Sequence, residues 1–299
     1  MNRMAFTVPF TKQFFSGYLV DHYTYKLATL ENALNKYSQL KSDILDGVEI
    51  IEDAEYEKSL RLEIRATYFQ AMETLFELMF SLEPQRSSLD NRLLWYYLST
   101  AQWRRHYKRI TQIAKGRTSF LDRTIKLGEN FETTFIEYLF YFGARDPEML
   151  KAIRPGYESI KKFIVAFAKE FSDRAEYNAF KHALRAFPAL TKFEAINKVT
   201  KKSLIAWDMS RSITYLIEGK DRSLSLETRP LDTERDVRMA QICSMLISNI
   251  VRSRKVHFVK GYQGHVHTFS EVAFPMATKR TINWMNFRLT LKLEDTKRK

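Results

Sequence analysis

Between residues 53 and 82 an aliphatic or aromatic side chain returns at every fourth position: Leu60, Ile64, Tyr68, Met72, Phe76 and Phe80. A period near 3.6 marks a helix with one buried stripe, and a proline-free stretch of this length commits the chain to a largely helical fold. Glu83-Pro84 closes it, because the residue before a proline is pushed out of the helical region. The same spacing recurs over 19–40 (Leu19, Tyr23, Leu27, Leu30, Leu34, Tyr37) and over 231–254, where Val237, Cys243 and Leu246 stand among Ile242, Met245 and Ile250. Only 9 Gly and 7 Pro interrupt the 299 residues. That is too little turn-forming material for an all-β or doubly wound fold.

Local punctuation divides the rest. The first 18 residues read as an irregular arm. Ser87 or Ser88 caps a helix that starts near 89, runs to about 115 and stops at Gly116. Residues 116–130 form a loop or short helix, and 131–142 are helical up to Gly143. Asp146-Pro147 opens another helix, broken near Pro155-Gly156, and helices over 157–171 and 172–187 follow. The period then falls to 2: 204–207, 212–217 and 223–228 predict short strands. Beyond 254, β-like pieces at 256–259 and 281–291 precede a charged tail at 294–299. The expected fold is therefore mainly α, a helical bundle of about six helices with a small inserted β-hairpin or meander and a partly β-rich C-terminal extension. The expected organisation is an arm over 1–18, a bundle over 19–254 with the β insertion near 203–228, and an extension over 255–299.

The formal charge of +13 predicts a polyanionic partner, RNA or another, since Lys and Arg neutralise phosphates and release counterions. The single cysteine, Cys243, excludes an internal disulfide and reads as a small core residue. The N-terminal residues lack the apolar run and small-residue cleavage site of a secretory signal. The most hydrophobic window, 66–82, still carries Glu73 and Glu77. No membrane partner and a cytoplasmic setting are expected. No Gly-rich phosphate loop, paired CxxC, HExxH or nucleophile elbow is found. This removes most nucleotide-cofactor enzymes and zinc hydrolases, and neither a cofactor nor a metal is expected. His265 and His267 alternate near His257, but only Glu271 lies close enough in sequence to complete a ligand set, and scattered surface histidines are the simpler reading.

Two stretches carry candidate chemistry. SDRAEYNAFKHALRAFP, 172–188, reads as a helix capped by Ser172 or Asp173 and stopped by Pro188. Arg174, Asn178, Lys181, His182 and Arg185 fall on one side of it; Tyr177, Phe180, Leu184 and Phe187 fall on the other. His182 is suited to act as base or acid, with neighbouring cations favouring its neutral form. Arg174 and Arg185 are suited to clamp a phosphate and stabilise charge that develops on it, with Asn178 and Lys181 orienting it. A rival reading makes this face structural: Glu73, in the most apolar helix, is a candidate buried carboxylate that Arg174 or Lys181 would neutralise. The second stretch, WYYLSTAQWRRHYKR over 95–109, interleaves aromatics with Arg104, Arg105, His106, Lys108 and Arg109. Stacking rings beside basic charge suit single-stranded nucleic acid. On a helix the rings go largely to the core, leaving a basic ridge in which Arg104, Arg105 and Lys108 meet phosphate.

The segment EYNAFKHALR resembles the Asn-x-x-Lys-His helix of some HEPN-like bacterial proteins, and IRATYFQAMETLFELMFSLEP resembles their long second helix. The resemblance reaches at most over 53–254. It implies a small helical bundle, often dimeric, and a metal-independent endoribonuclease of a defence or stress system, acting with an antitoxin-like partner in some cases. It implies RNA cleavage through the 2′-hydroxyl at a site shared by two subunits, with His182 and an arginine, Arg174 or Arg185, in the reacting positions. Arg174 and His182 stand further apart than the Arg and His of the family signature, and Ala175 follows Arg174 where a polar residue is common. A non-catalytic relative that binds nucleic acid or a protein partner through its basic surface is the alternative.

Overall fold

The expected mainly α architecture is observed in the computed structural model of the chain, which describes residues 3–36, 39, 53–84, 94–126, 131–181, 186–187, 192–218, 223–282 and 287–291. Three helices open the chain: α1 (Arg3–Gly17), α2 (His22–Asn35) and the long α3 (Asp53–Ser81). Then come α4 (Leu94–Ser99), α5 (Trp103–Ala114), a 3-10 turn (Ser119–Asp122) and the paired strands β1 (Thr124–Lys126) and β2 (Glu132–Thr134). Next are α6 (Phe135–Phe140), α7 (Pro147–Ile153), α8 (Tyr157–Phe171) and α9 (Arg174–Lys181). Five strands follow: β3 (Ala186–Phe187), β4 (Lys192–Ile196), β5 (Ser203–Asp208), β6 (Ser212–Glu218) and β7 (Leu224–Pro230). The chain returns to helix in α10 (Thr233–Phe258) and α11 (Ala273–Thr278) before β8 (Phe287–Leu291).

Several local expectations are corrected. Residues 3–17 are helical rather than an irregular arm; Phe15 is fully buried and stacks on Phe258 at 5.4 Å, so tertiary burial orders a segment with no period of its own. The described part of the 89–115 stretch is broken at Thr100–Gln102 into α4 and α5. The helix expected over 131–142 starts only at Phe135, because 132–134 pair with 124–126. Thr134 and Glu137 then cap each other reciprocally at the start of α6. Residues 256–258 end α10 instead of forming a strand, and the Val259 N–H donates to the Lys255 carbonyl. The helix expected over 172–187 does not reach its expected end: α9 is described over Arg174–Lys181, and Ala186 and Phe187 pair as a strand with Tyr215 and Thr214.

All strand pairs are antiparallel. One sheet has the order β3-β6-β7-β8, while β4 and β5 form a separate hairpin with a register shift at Ala195/Ile196. The expected strands at 204–207 and 212–217 thus belong to different sheets. β4, which the sequence did not announce, is the true partner of β5.

The chain divides into two compact units built from interleaved segments, 1–27, 68–172 and 238–279 in one, and 28–67, 173–237 and 280–299 in the other. The first has an aromatic core that includes Tyr68, Phe76, Phe135, Phe163, Phe167 and Phe171. Arg254 lies fully buried inside it, donating to the carbonyls of Tyr138 (2.9 Å) and Leu139 (2.8 Å) near the C-terminal end of α6. Those carbonyls have no intrahelical partner and form the negative end of the helix dipole, so they suit a cation. Burial pushes the guanidinium down to about 10, and it remains charged at neutral pH. Gly156 follows α7 so closely packed that a Cβ there would lie 2.3 Å from the Phe269 carbonyl oxygen.

The second unit contains the four-stranded sheet, α9 and a buried network of charge. Thr214 and Thr228 meet at 2.8 Å between β6 and β7, and Asp232 accepts from both the backbone and the hydroxyl of Thr281.

Candidate functional site

Within the second unit, α9 is anchored by a residue that the sequence reading assigned to neither face. Glu176 accepts from Arg65 Nε at 2.9 Å on one carboxylate oxygen and from Arg229 Nη1 at 3.0 Å on the other. Arg65 also reaches Asp236 (2.8 Å), and Arg229 reaches Asp173 (2.6 Å) and Glu227 (2.5 Å). Arg288 binds the second oxygen of Glu227, Tyr215 donates to the first, and Arg235 approaches Asp236. Among the described residues Asp173, Glu176, Glu227 and Asp236 are thereby set against Arg65, Arg229, Arg235 and Arg288. Burial alone would raise the Glu227 carboxyl, but hydrogen bonds from Arg288 and Arg229 outweigh it and hold the group below the usual carboxylate range.

Of the residues predicted on this helix, Asn178 is half-buried, while Tyr177 and Ala179 go to the interior. Arg174 and Lys181 form the two ends of α9. His182 and Arg185 lie outside the described residues. Glu73 is half-buried, and the buried carboxylate of α9 that collects guanidiniums is Glu176.

The second predicted stretch gathers its residues around a cleft in the first unit. Ile110 and Ile113 of α5 are buried, Trp103 meets Phe171 edge-on at 5.8 Å, and the Tyr107 hydroxyl donates to the Ser172 carbonyl at 3.0 Å. These contacts fix the helix with Arg104, Arg105 and Lys108 turned to water. None of the three forms an ion pair among the described residues. Half-buried Arg109 lies 4.2 Å over the Phe80 ring and 2.5 Å from Glu83. Arg123 approaches the other oxygen of Glu83 at 3.5 Å.

Beside this ridge is a cleft of about 610 Å³, walled by Arg105, His106 and Arg109 of α5, the break at Thr100–Gln102, Tyr97 of α4 and the end of α3. The His106 ring packs 5.0 Å from that of Phe80, and its Nδ1 is buried with no hydrogen-bond partner among the described residues. Ser81, another lining residue, has its Oγ buried without a hydrogen-bond partner among the described residues. Burial first, then the charges of Arg109 and Arg105, lower the affinity of His106 for a proton, leaving a neutral imidazole at pH 7. Arg105 and Arg109 give this wall a positive lining. A second cleft, of about 370 Å³, mixes Glu57 and Asp208 with Lys58, Arg61 and Arg211, and Arg61 is already bonded to Glu57 and Thr233; it has no comparable surplus of positive charge.

No protein-family model, curated protein or solved structure matches this chain. Among the described residues no group of three or more His, Cys, Asp or Glu side chains is placed to hold a metal ion, and no described helix is long and apolar enough to cross a membrane. Around the predicted histidine cluster, the backbone carbonyls of His265 and His267 accept from Arg252 and Asn249.

The sequence singles out Arg104, Arg105 and Lys108, which are exposed on α5, but gives no role to His106 or Ser81, which line the cleft beside it. The visible signal for His106 was its place between two arginines and an aromatic; Ser81 carried no signal, being one serine at a helix end.

Proposed function

We propose that this is an RNA-directed protein, HEPN-like in its helical character, that grips the sugar–phosphate backbone through α5. The observation that carries this reading is the set of exposed cations Arg104, Arg105 and Lys108, unpaired among the described residues, of which Arg105 also lines the cleft. Elsewhere buried arginines are matched by carboxylates or carbonyls; these three face water, where exchanging counterions for phosphates releases those counterions. Aromatic side chains beside the ridge, Tyr97 and Trp103, add surface of the kind on which unpaired bases stack, which favours single strands over duplex.

The test is an electrophoretic mobility titration of labelled single-stranded RNA with the native chain and with the Arg104→Ala, Arg105→Ala, Lys108→Ala triple variant. Retardation that weakens at least about tenfold in the variant supports the reading; equal retardation contradicts it. Running the same mixtures with EDTA, and with His182→Ala, shows whether binding is accompanied by metal-independent cleavage.

A further inference from the structure

We propose that the β4–β5 hairpin is a second RNA contact, a basic arm whose turn lysines, Lys198, Lys201 and Lys202, meet the phosphates of a single strand. It rests on the RNA reading above and adds to it a surface of the second unit.

Among the described residues β4 and β5 pair only with each other, and residues 197–202 connect them. Every described side chain from 192 to 208 is exposed except that of Asn197, which is half-buried. Asn197 closes the turn. Its Oδ1 accepts from the Val199 N–H at 2.9 Å and from the Thr200 N–H at 3.1 Å. Its own N–H donates to the Lys202 carbonyl and its carbonyl accepts from the Lys201 N–H, both at 2.9 Å. A turn held in this way is already shaped, so a partner need not order it.

Lys198, Lys201 and Lys202 are exposed and form no ion pair among the described residues. The carboxylates of the two strands are engaged elsewhere: Glu194 with Lys192 at 3.0 Å, and Asp208, at the end of β5, with the Ser210 N–H at 2.8 Å. Lys201 adds an independent observation. Its φ is +58°, the left-handed region, and among the described residues no other non-glycine has a positive φ. Glycine would stand there at no steric cost. Backbone strain of this kind collects at functional sites, and here it holds an ammonium on the turn.

Three ammonium groups on flexible stems meet phosphates as point charges and read no base sequence. An anionic membrane surface fits less well. Val199 is the only apolar residue between Asn197 and Ser203, too small an apolar surface to insert.

The test is the salt dependence of binding for one single-stranded RNA of about 12 nucleotides. It compares the native chain with the Lys198→Ala, Lys201→Gly, Lys202→Ala triple variant and with Lys201→Gly alone. Three lost phosphate contacts should make the slope of log affinity against log salt shallower by about 2 in the triple variant, and one lost contact by about 0.7 in Lys201→Gly. Lys201→Gly should lose its contact with no fall in melting temperature, since the strain leaves with the side chain. RNA bound with the native slope by both variants overturns the proposal and leaves the α5 reading standing. No RNA bound by the native chain overturns both. Co-sedimentation with phosphatidylserine vesicles that the triple variant loses while its RNA slope stays native also overturns it, and assigns the arm to a membrane surface.

Discussion

Glu176 holds a guanidinium on each carboxylate oxygen while only 3% exposed. Deleting one member of a buried pair strands the others without compensation, so Glu176→Ala is expected to cost about 3–5 kcal/mol in urea denaturation. A loss below about 1 kcal/mol, the value of a surface pair, would refute the buried-network description. The network also has a pH signature. Glu227 is held below the usual carboxylate range in the folded state, so the unfolded chain binds its proton more readily in acid. Its contribution is complete above the unfolded value near 4.3 and is lost as pH falls through the folded one, and Glu227→Gln should flatten the stability curve in that acidic window. His106 and His267 act at milder pH. Burial is the largest cause of both shifts; the charges of Arg109 and Arg105 add to it at His106, as Arg252 does at His267, with Asp21 opposing. Both bind protons less readily folded than unfolded, so stability falls as pH drops below about 6.5. His106→Gln should reduce the shift in melting temperature between pH 7 and 5.5. Glu176 was hidden in the sequence for a physical reason: its partners Arg65 and Arg229 lie 111 and 53 positions away, and helical spacing reports faces, not distant partners.

Among the elements, those ruled by local chemistry were legible. Asp146 caps α7 as expected, accepting from the Met149 N–H at 3.0 Å, with Pro147 in the first turn, and Asp146→Ala should cost about 1 kcal/mol. The long stripe of α3 was equally plain. Elements set by tertiary contact were not. α1 has no period and is ordered by burial of Phe15 against Phe258. Ala186 and Phe187 leave the helical register to pair with β6. Gly156 reads as a simple breaker in sequence, yet its tight approach to the Phe269 carbonyl makes it a packing requirement. Gly156→Ala should destabilise by about 1–3 kcal/mol in thermal unfolding, as overpacking does; an unchanged melting temperature would show that this contact yields freely. On α5 the exposed basic positions followed from spacing. The cleft did not, because it needs the break at 100–102 and the end of α3 beside it.

For the molecule as a whole, the positive charge is divided by environment. Among the described residues the network of the second unit sets four guanidiniums against four carboxylates, and these eight groups cancel in the net charge of +13. Positive charge without an ion-pair partner among the described residues includes three side chains of α5, Arg104, Arg105 and Lys108, which face solvent. If that ridge meets phosphates, its contacts must appear in the ionic-strength dependence of binding. The decisive measurement is therefore the slope of log affinity against log salt concentration for a single-stranded RNA, native chain against the α5 triple-alanine variant. Each lost phosphate contact removes about 0.7 from the slope, so the variant should be shallower by about 2. Identical slopes in the two proteins, with RNA still bound, would place the contact elsewhere and contradict the assignment of α5.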